Sequence, residues 1–123
     1  MGIAARALVP MARVADVARS IRFYEALGFA VRNTFVPDGA AAPSWAWLES
    51  RGAALMVTSA SAAPVPEEKA ALFYVYGDDV AAAHAECVRA GLDPGPIAFP
   101  FYAPRGEFRL KDPDGWLLMI THA

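Results

Sequence analysis

The 123-residue chain has a single cysteine, Cys87, only two histidines and no long uninterrupted apolar run. One cysteine excludes an intrachain disulfide framework and a cysteine-rich zinc site. A membrane span needs about 20 consecutive apolar residues, so no membrane partner is expected. The N-terminus lacks the layout of a signal peptide, and after Met1-Gly2 it carries Arg6 where a myristoylation motif calls for Ser or Thr, which points to the cytoplasm. Charge of either sign is also in short supply: 11 basic side chains face 13 acidic ones, for a formal net charge of -2. That balance excludes a nucleic-acid partner held mainly by charge.

What is present is an apolar, internally repeated sequence. Hydrophobic residues make up 56% and charged residues 20%, the composition of an ordered globule. Gly52 to Thr58 reads GAALMVT and Gly115 to Thr121 reads GWLLMIT, 63 residues further on. The same offset carries Asp16-Val17-Ala18 onto Asp79-Val80-Ala81 and Gly28 onto Gly91. A period this long exceeds that of the common solenoid units, so it implies two half-domain modules. Modules of about 60 residues are marginal alone, and a shared core is the expectation. The spacing gives one domain over 1–123, with repeats over about 5–59 and 70–122 and a connector at 60–69.

In the first module Arg6 to Val14 reads as a strand interrupted by Pro10. Asp16 is placed to cap a helix whose stripe runs Val17, Ile21, Tyr24 and stops at Gly28. Phe29 to Val36 reads as a strand and Pro37 to Pro43 as a loop. Ser44–Leu48 and Ala53–Ser59 form a hairpin around Glu49–Gly52. After the proline-rich connector Ala60–Lys69 the order repeats: strand Ala71–Tyr76, cap Asp79, helix Val80–Ala90, stop Gly91. A proline-interrupted stretch, Pro94 to Pro104, then precedes strands Glu107–Lys111 and Trp116–His122 about the turn Asp112-Pro113-Asp114-Gly115. The fold class is therefore α+β: two tandem βαβββ modules form a curved, incompletely closed mixed sheet around a cleft, with helices on the outer face.

The turn fixes a register. With Asp112 opposite Trp116, Arg109 pairs with Met119 and Glu107 with Thr121, while Phe108 and Leu110 pair with Ile120 and Leu118. The first set belongs to the cleft and the second under the helix. A four-residue loop would shift the pairing by one and bring Phe108 to Met119. Trp45 and Trp47 are ambiguous in the same way, facing the helix in a bulged register and the cleft in the other.

Asp16-Val-Ala-Arg-Ser-Ile-Arg-Phe-Tyr-Glu-Ala-Leu-Gly-Phe29 and the closing Asp112-Pro-Asp-Gly-Trp-Leu-Leu-Met119, set in this order of elements, resemble the vicinal oxygen chelate superfamily. That superfamily includes glyoxalase I, extradiol dioxygenases, fosfomycin-resistance enzymes and bleomycin-resistance proteins. The resemblance implies four positions that hold a metal in catalytic members, and here they fall on Val9, Met56, Leu72 and Met119. None carries an imidazole or carboxylate donor, which a divalent catalytic ion requires. His84 maps onto Ile21 of the helix stripe and Cys87 onto Tyr24, both structural positions, and His122 has the wrong strand parity for the cleft. No catalytic residue, metal ligand or cofactor is assigned.

An apolar cleft of this kind suits an organic ligand. The candidate ligand-binding residues are Val9, Met11, Arg13, Met56, Leu72, Tyr74, Phe101, Tyr102, Glu107, Arg109, Met119 and Thr121. Arg13 and Arg109 are placed to fix a carboxylate or phosphate, and aromatic residues of the proline-rich loop could close over the ligand. Met56 and Met119 serve equally well as core packing. The leading expectation is a small-molecule or antibiotic-like binding protein of bleomycin-resistance character; the alternative is a glyoxalase-type lyase or isomerase, or a dioxygenase-family enzyme, with a non-standard site. The resemblance also implies a homodimer.

Overall fold

The computed structural model describes residues 3–60 and 64–123; Met1-Gly2 and residues 61–63 of the connector lie outside that description. The chain forms two compact units, one running to Val65 and the other starting at Pro66.

The first unit contains β1 (Met11–Arg13), α1 (Val17–Ala26), β2 (Ala30–Phe35), β3 (Trp45–Ser50) and β4 (Ala53–Thr58). They build a four-stranded sheet in the order β1-β4-β3-β2, with β1 parallel to β4 and the other pairs antiparallel. Asp16 caps α1 by accepting from the Arg19 amide at 3.1 Å, and Gly28 beyond the C-cap takes φ +92°. The buried stripe is Val17, Ser20, Phe23 and Tyr24. Ile21, expected in that stripe, is only half-buried, because Phe23 takes its share of the core and packs edge-on against Tyr24 at 5.0 Å. The helix lies on β3, β2 and β4, whose inward residues Ala46, Leu48, Leu55 and Val57 are buried. Full burial of side chains such as Leu48 and Val57 is worth about 1.5–3 kcal/mol each.

Two expectations need correction here. The first strand does not extend from Arg6: Pro10 has no amide to give, although its carbonyl still accepts from the Met56 amide at 2.9 Å, and the ladder starts at Met11. Val9 therefore precedes the strand. In the hairpin, Glu49 and Ser50 are strand residues paired with Ala54 and Ala53, which leaves a two-residue loop of Arg51 and Gly52. Arg51 takes φ +42°, the left-handed conformation that two-residue hairpin loops favour.

The second unit contains β5 (Leu72–Gly77), α2 (Val80–Arg89), β6 (Phe108–Lys111) and β7 (Leu117–His122). The sheet order is β5-β7-β6, with β5 parallel and β6 antiparallel to the central β7. Asp79 caps α2 by accepting from the Ala82 amide at 3.0 Å, and Gly91 takes φ +79°, so both ends repeat the first helix. The Asp112–Gly115 turn closes with the Asp112 amide donating to the Trp116 carbonyl at 2.9 Å, and the register that follows is the expected one. Phe108 pairs with Ile120, Arg109 with Met119 and Leu110 with Leu118. The buried Asp112 carboxylate ties the turn by accepting from the Trp116 amide at 2.8 Å.

The second unit departs from the first at one element. Where the repeat predicts another full strand, only an isolated bridge between Ala98 and Glu107 forms. Pro94, Pro96, Pro100 and Pro104 remove the amides a longer ladder would need. Cys87 is buried on α2, and burial, followed by the neighbouring Glu86 charge, pushes its thiol above the ordinary value. His84 meets Phe108 edge-on at 5.0 Å and its Nε2 lies 2.9 Å from the Gly95 carbonyl, a structural histidine as expected. Among the described residues, no helix is long and apolar enough to cross a membrane.

Candidate functional site

Each helix covers one face of its own sheet, and the chemistry available to a ligand sits on the opposite faces. Strand alternation decides which residues these are. In the first unit Ala12, Ala46, Leu48, Leu55 and Val57 point to the buried face, so Met11, Arg13, Trp45, Trp47, Met56 and Thr58 share the other. Register aligns them in two rows: Met11, Met56, Trp47 and Asn33 in one, Arg13, Thr58, Trp45 and Phe35 in the next. The two-residue hairpin loop resolves the tryptophan ambiguity, placing Trp47 opposite Met56 and Trp45 opposite Thr58, both on the face away from α1. Met11 is 55% exposed, while Met56 and both tryptophans are half-buried. Thr58 is buried, its hydroxyl donating to the Ser44 carbonyl at 3.3 Å, so it anchors a strand end. Val9, half-buried ahead of β1, stands outside these rows.

In the second unit the corresponding rows are Tyr74, Met119 and Arg109, then Tyr76 and Thr121, and on the other side Leu72, Leu117 and Lys111. Met119 and Thr121 lie on the central strand and are buried, whereas Tyr74, Tyr76 and Leu72 on the edge strand are exposed. The Tyr74 and Tyr76 rings lie 6.1 Å apart, tilted by 30°, and form a short aromatic surface along β5. Phe101 and Tyr102 occupy the proline-rich loop, edge to face at 5.4 Å, with Phe101 96% exposed. That loop is held by Gly106, whose φ of +104° and tight setting leave no space for a side chain: an added Cβ would meet the Ile97 Cγ2 at 2.7 Å.

Glu107 stands out. It shares the Arg109 face of β6 by alternation, and its backbone is fixed by the two-way bridge to Ala98 at 2.8 and 2.9 Å. Its side chain is buried at 5% exposure, and its Oε2 has no hydrogen-bond partner among the described residues. A buried acceptor in that state costs about 1–3 kcal/mol. Tyr102 hydrogen-bonds to the same carboxyl; that bond first, then desolvation and the charges of Glu107 and Tyr74, push its hydroxyl above the ordinary value, against an opposing Arg109 contribution. Glu107, Tyr74 and Arg109 thus all bear on the Tyr102 hydroxyl.

The expected residues consequently fall into local sets. Met11 and Met56 are neighbours on one unit, and Tyr74, Met119 and Arg109 are neighbours on the other, with Glu107 and Tyr102 beside them. Residues 63 apart repeat across the units, since Met11 corresponds to Tyr74 and Met56 to Met119. Sequence reasoning missed Asn33, Phe35 and Tyr76. Tyr76 was signalled by its parity with Tyr74, and the Trp45/Trp47 face by the Arg51-Gly52 pair. Val9, Met56, Leu72 and Met119, the four positions at which the sequence resemblance implies a metal, carry no side-chain oxygen or nitrogen donor. No three described His, Cys, Asp or Glu side chains gather into a group able to hold a metal. The residues do not fit a divalent catalytic ion.

Residues 6–120 match the Glyoxalase/Bleomycin resistance protein/Dioxygenase superfamily. Among solved structures, the chain is similar to a bleomycin resistance determinant encoded on the transposon Tn5, with 20% identity, a TM-score of 0.73, and coverage of 96% of this chain and 98% of that one. A bleomycin-binding protein complexed with bleomycin gives 20% identity and a TM-score of 0.73 over 97% of this chain and 99% of that one. TnmS3, an antibiotic binding protein from Streptomyces sp. CB03234, gives 19% identity and a TM-score of 0.77 over 98% of each chain. At these identities the likeness is one of fold. No curated protein matches the chain.

Proposed function

The chain belongs to the Glyoxalase/Bleomycin resistance protein/Dioxygenase superfamily, and from that premise we propose that it binds a small organic, antibiotic-like molecule without a metal ion. The reading rests on the apolar residues Val9, Met56, Leu72 and Met119 standing where the resemblance expects metal ligands, together with sheets that expose aromatic and thioether side chains. Methionine adapts its shape and packs well on rings, and indole and phenol faces stack on flat ligands. The fold shared with bleomycin-binding and antibiotic-binding proteins supports the same class of ligand. Met11, Arg13, Trp45, Trp47 and Met56 on the first unit, and Leu72, Tyr74, Phe101, Tyr102, Glu107, Arg109, Met119 and Thr121 on the second, are the contact candidates. Met119 and Thr121 act chiefly by shaping the surface. The protein acts in the cytoplasm as a homodimer, which light scattering tests directly.

The test is a thermal-shift screen of antibiotics and polycyclic aromatics, run on chelator-treated protein and again with Zn²⁺, Ni²⁺, Mn²⁺ or Fe²⁺ restored. At a hundred times Kd a ligand stabilises by about 2.7 kcal/mol. A shift present in both arms supports the reading. Metal-dependent turnover of a glyoxalase-type substrate overturns it.

A further inference from the structure

The buried oxygen of Glu107 asks for a donor. A carboxylate is acceptor-only when ionised, and natural structures leave few buried polar atoms unpaired without a reason. Tyr102 serves this carboxyl, yet Oε2 remains without a partner among the described residues. Two residues along the same face, Arg109 presents an exposed guanidinium, which offers only donors. The opposed charges select against simple ions: a cation drawn to Glu107 would face Arg109, and an anion drawn to Arg109 would face Glu107. A neutral ligand edge with a donor beside an acceptor satisfies both. The Tyr74 and Tyr76 rings along β5, across the central strand from Arg109, supply a surface for a flat body attached to that edge.

Resting on the small-molecule reading, we propose that Glu107 and Arg109 form a subsite for a planar lactam or carboxamide edge. The ligand N–H donates to the Glu107 Oε2, which is closed to solvent in the free chain and must be uncovered as the ligand binds, and the adjacent carbonyl accepts from the Arg109 guanidinium. Tyr102 holds the carboxyl in place and is a positioning residue. Glu107 supplies selectivity for the N–H, whereas Arg109 serves any ligand carrying the carbonyl.

Carbostyril, a bicyclic lactam, and its N-methyl derivative differ only in that N–H and are the probes. Amide-shift titrations by NMR should give wild-type protein a preference for carbostyril of about tenfold, the scale of one hydrogen bond to a charged group. Glu107→Met should bring the two Kd values within about twofold. Arg109→Met, at an exposed position, should weaken both probes in equal proportion, and Tyr102→Phe should leave a clear preference for carbostyril. If wild type binds both probes equally, or if Glu107→Met keeps the preference, the subsite is wrong while the small-molecule reading stands. An Arg109→Met variant that binds both probes like wild type refutes the acceptor half and does not depend on how Glu107 variants fold. If neither probe moves any resonance of the second unit, the subsite fails, while the small-molecule reading stands or falls by the thermal-shift screen.

Discussion

Replacing Glu107 by methionine should make the ligand-free protein more stable. Met has a similar length to Glu and no polar atom to leave unpaired, so the substitution removes a buried Oε2 that no described residue satisfies. The orphan acceptor costs about 1–3 kcal/mol. The Tyr102 bond lost with it lies at a residue 62% exposed, where water replaces the protein partner, and offsets little. The side chain at position 107 is itself buried, so the thioether is shielded from water. A net gain of about 1–2 kcal/mol corresponds to a rise in Tm of roughly 3–8 °C for a chain of this size. Calorimetry and urea unfolding on the purified apo protein measure it, and an unchanged m-value confirms that the gain lies in the folded state. Glu107→Gln is the control: it leaves a buried amide in the same position and should give no comparable gain. A fall in Tm for Glu107→Met would refute the reasoning, because it would mean that the carboxyl is satisfied in the apo protein and serves the fold. The expected trade of stability for a binding group is common at functional sites.

Three further outcomes follow from the geometry. Gly106→Ala should destabilise the protein by more than about 1 kcal/mol and weaken binding of any ligand that depends on Phe101 or Tyr102, because the new Cβ collides with Ile97 in a left-handed backbone; comparing the melting curve with ligand titration checks both effects. Asp16→Ala and Asp79→Ala should each cost about 1 kcal/mol in urea unfolding, since the two caps have nearly the same geometry. Cys87 should resist thiol reagents in the native state and react on unfolding. Because burial raises the folded thiol above its ordinary value of 9.0, its contribution to stability is complete below that pH and is lost as pH rises through the raised value, so Cys87→Ala should flatten the alkaline loss seen in a pH series of urea midpoints.

Much of the fold was legible because duplication constrains it twice. One offset predicted both caps, both stop glycines and the two central strands carrying Met56 and Met119, and the Asp112–Gly115 turn gave the register of β6 on β7. What escaped was set by single residues. Pro10 cut the first strand short of Val9, clustered prolines reduced one expected strand to the Ala98–Glu107 bridge, and a left-handed Arg51 shortened the hairpin loop. That last change moved Trp45 and Trp47 to the open face, since a shift of one residue reverses every side chain. The Glu107 carboxyl was legible as a residue on the binding face but not as a buried acceptor, because burial there depends on the loop carrying Tyr102.

The central claim is that this member of a family rich in metalloenzymes holds its ligand without an ion. Isothermal titration of the strongest thermal-shift ligand into chelator-treated protein, with metal content measured on the same sample, tests it most directly. The account predicts saturable binding with unchanged Kd whether or not divalent metal is restored. Binding that disappears on chelation and returns with one equivalent of metal would contradict it.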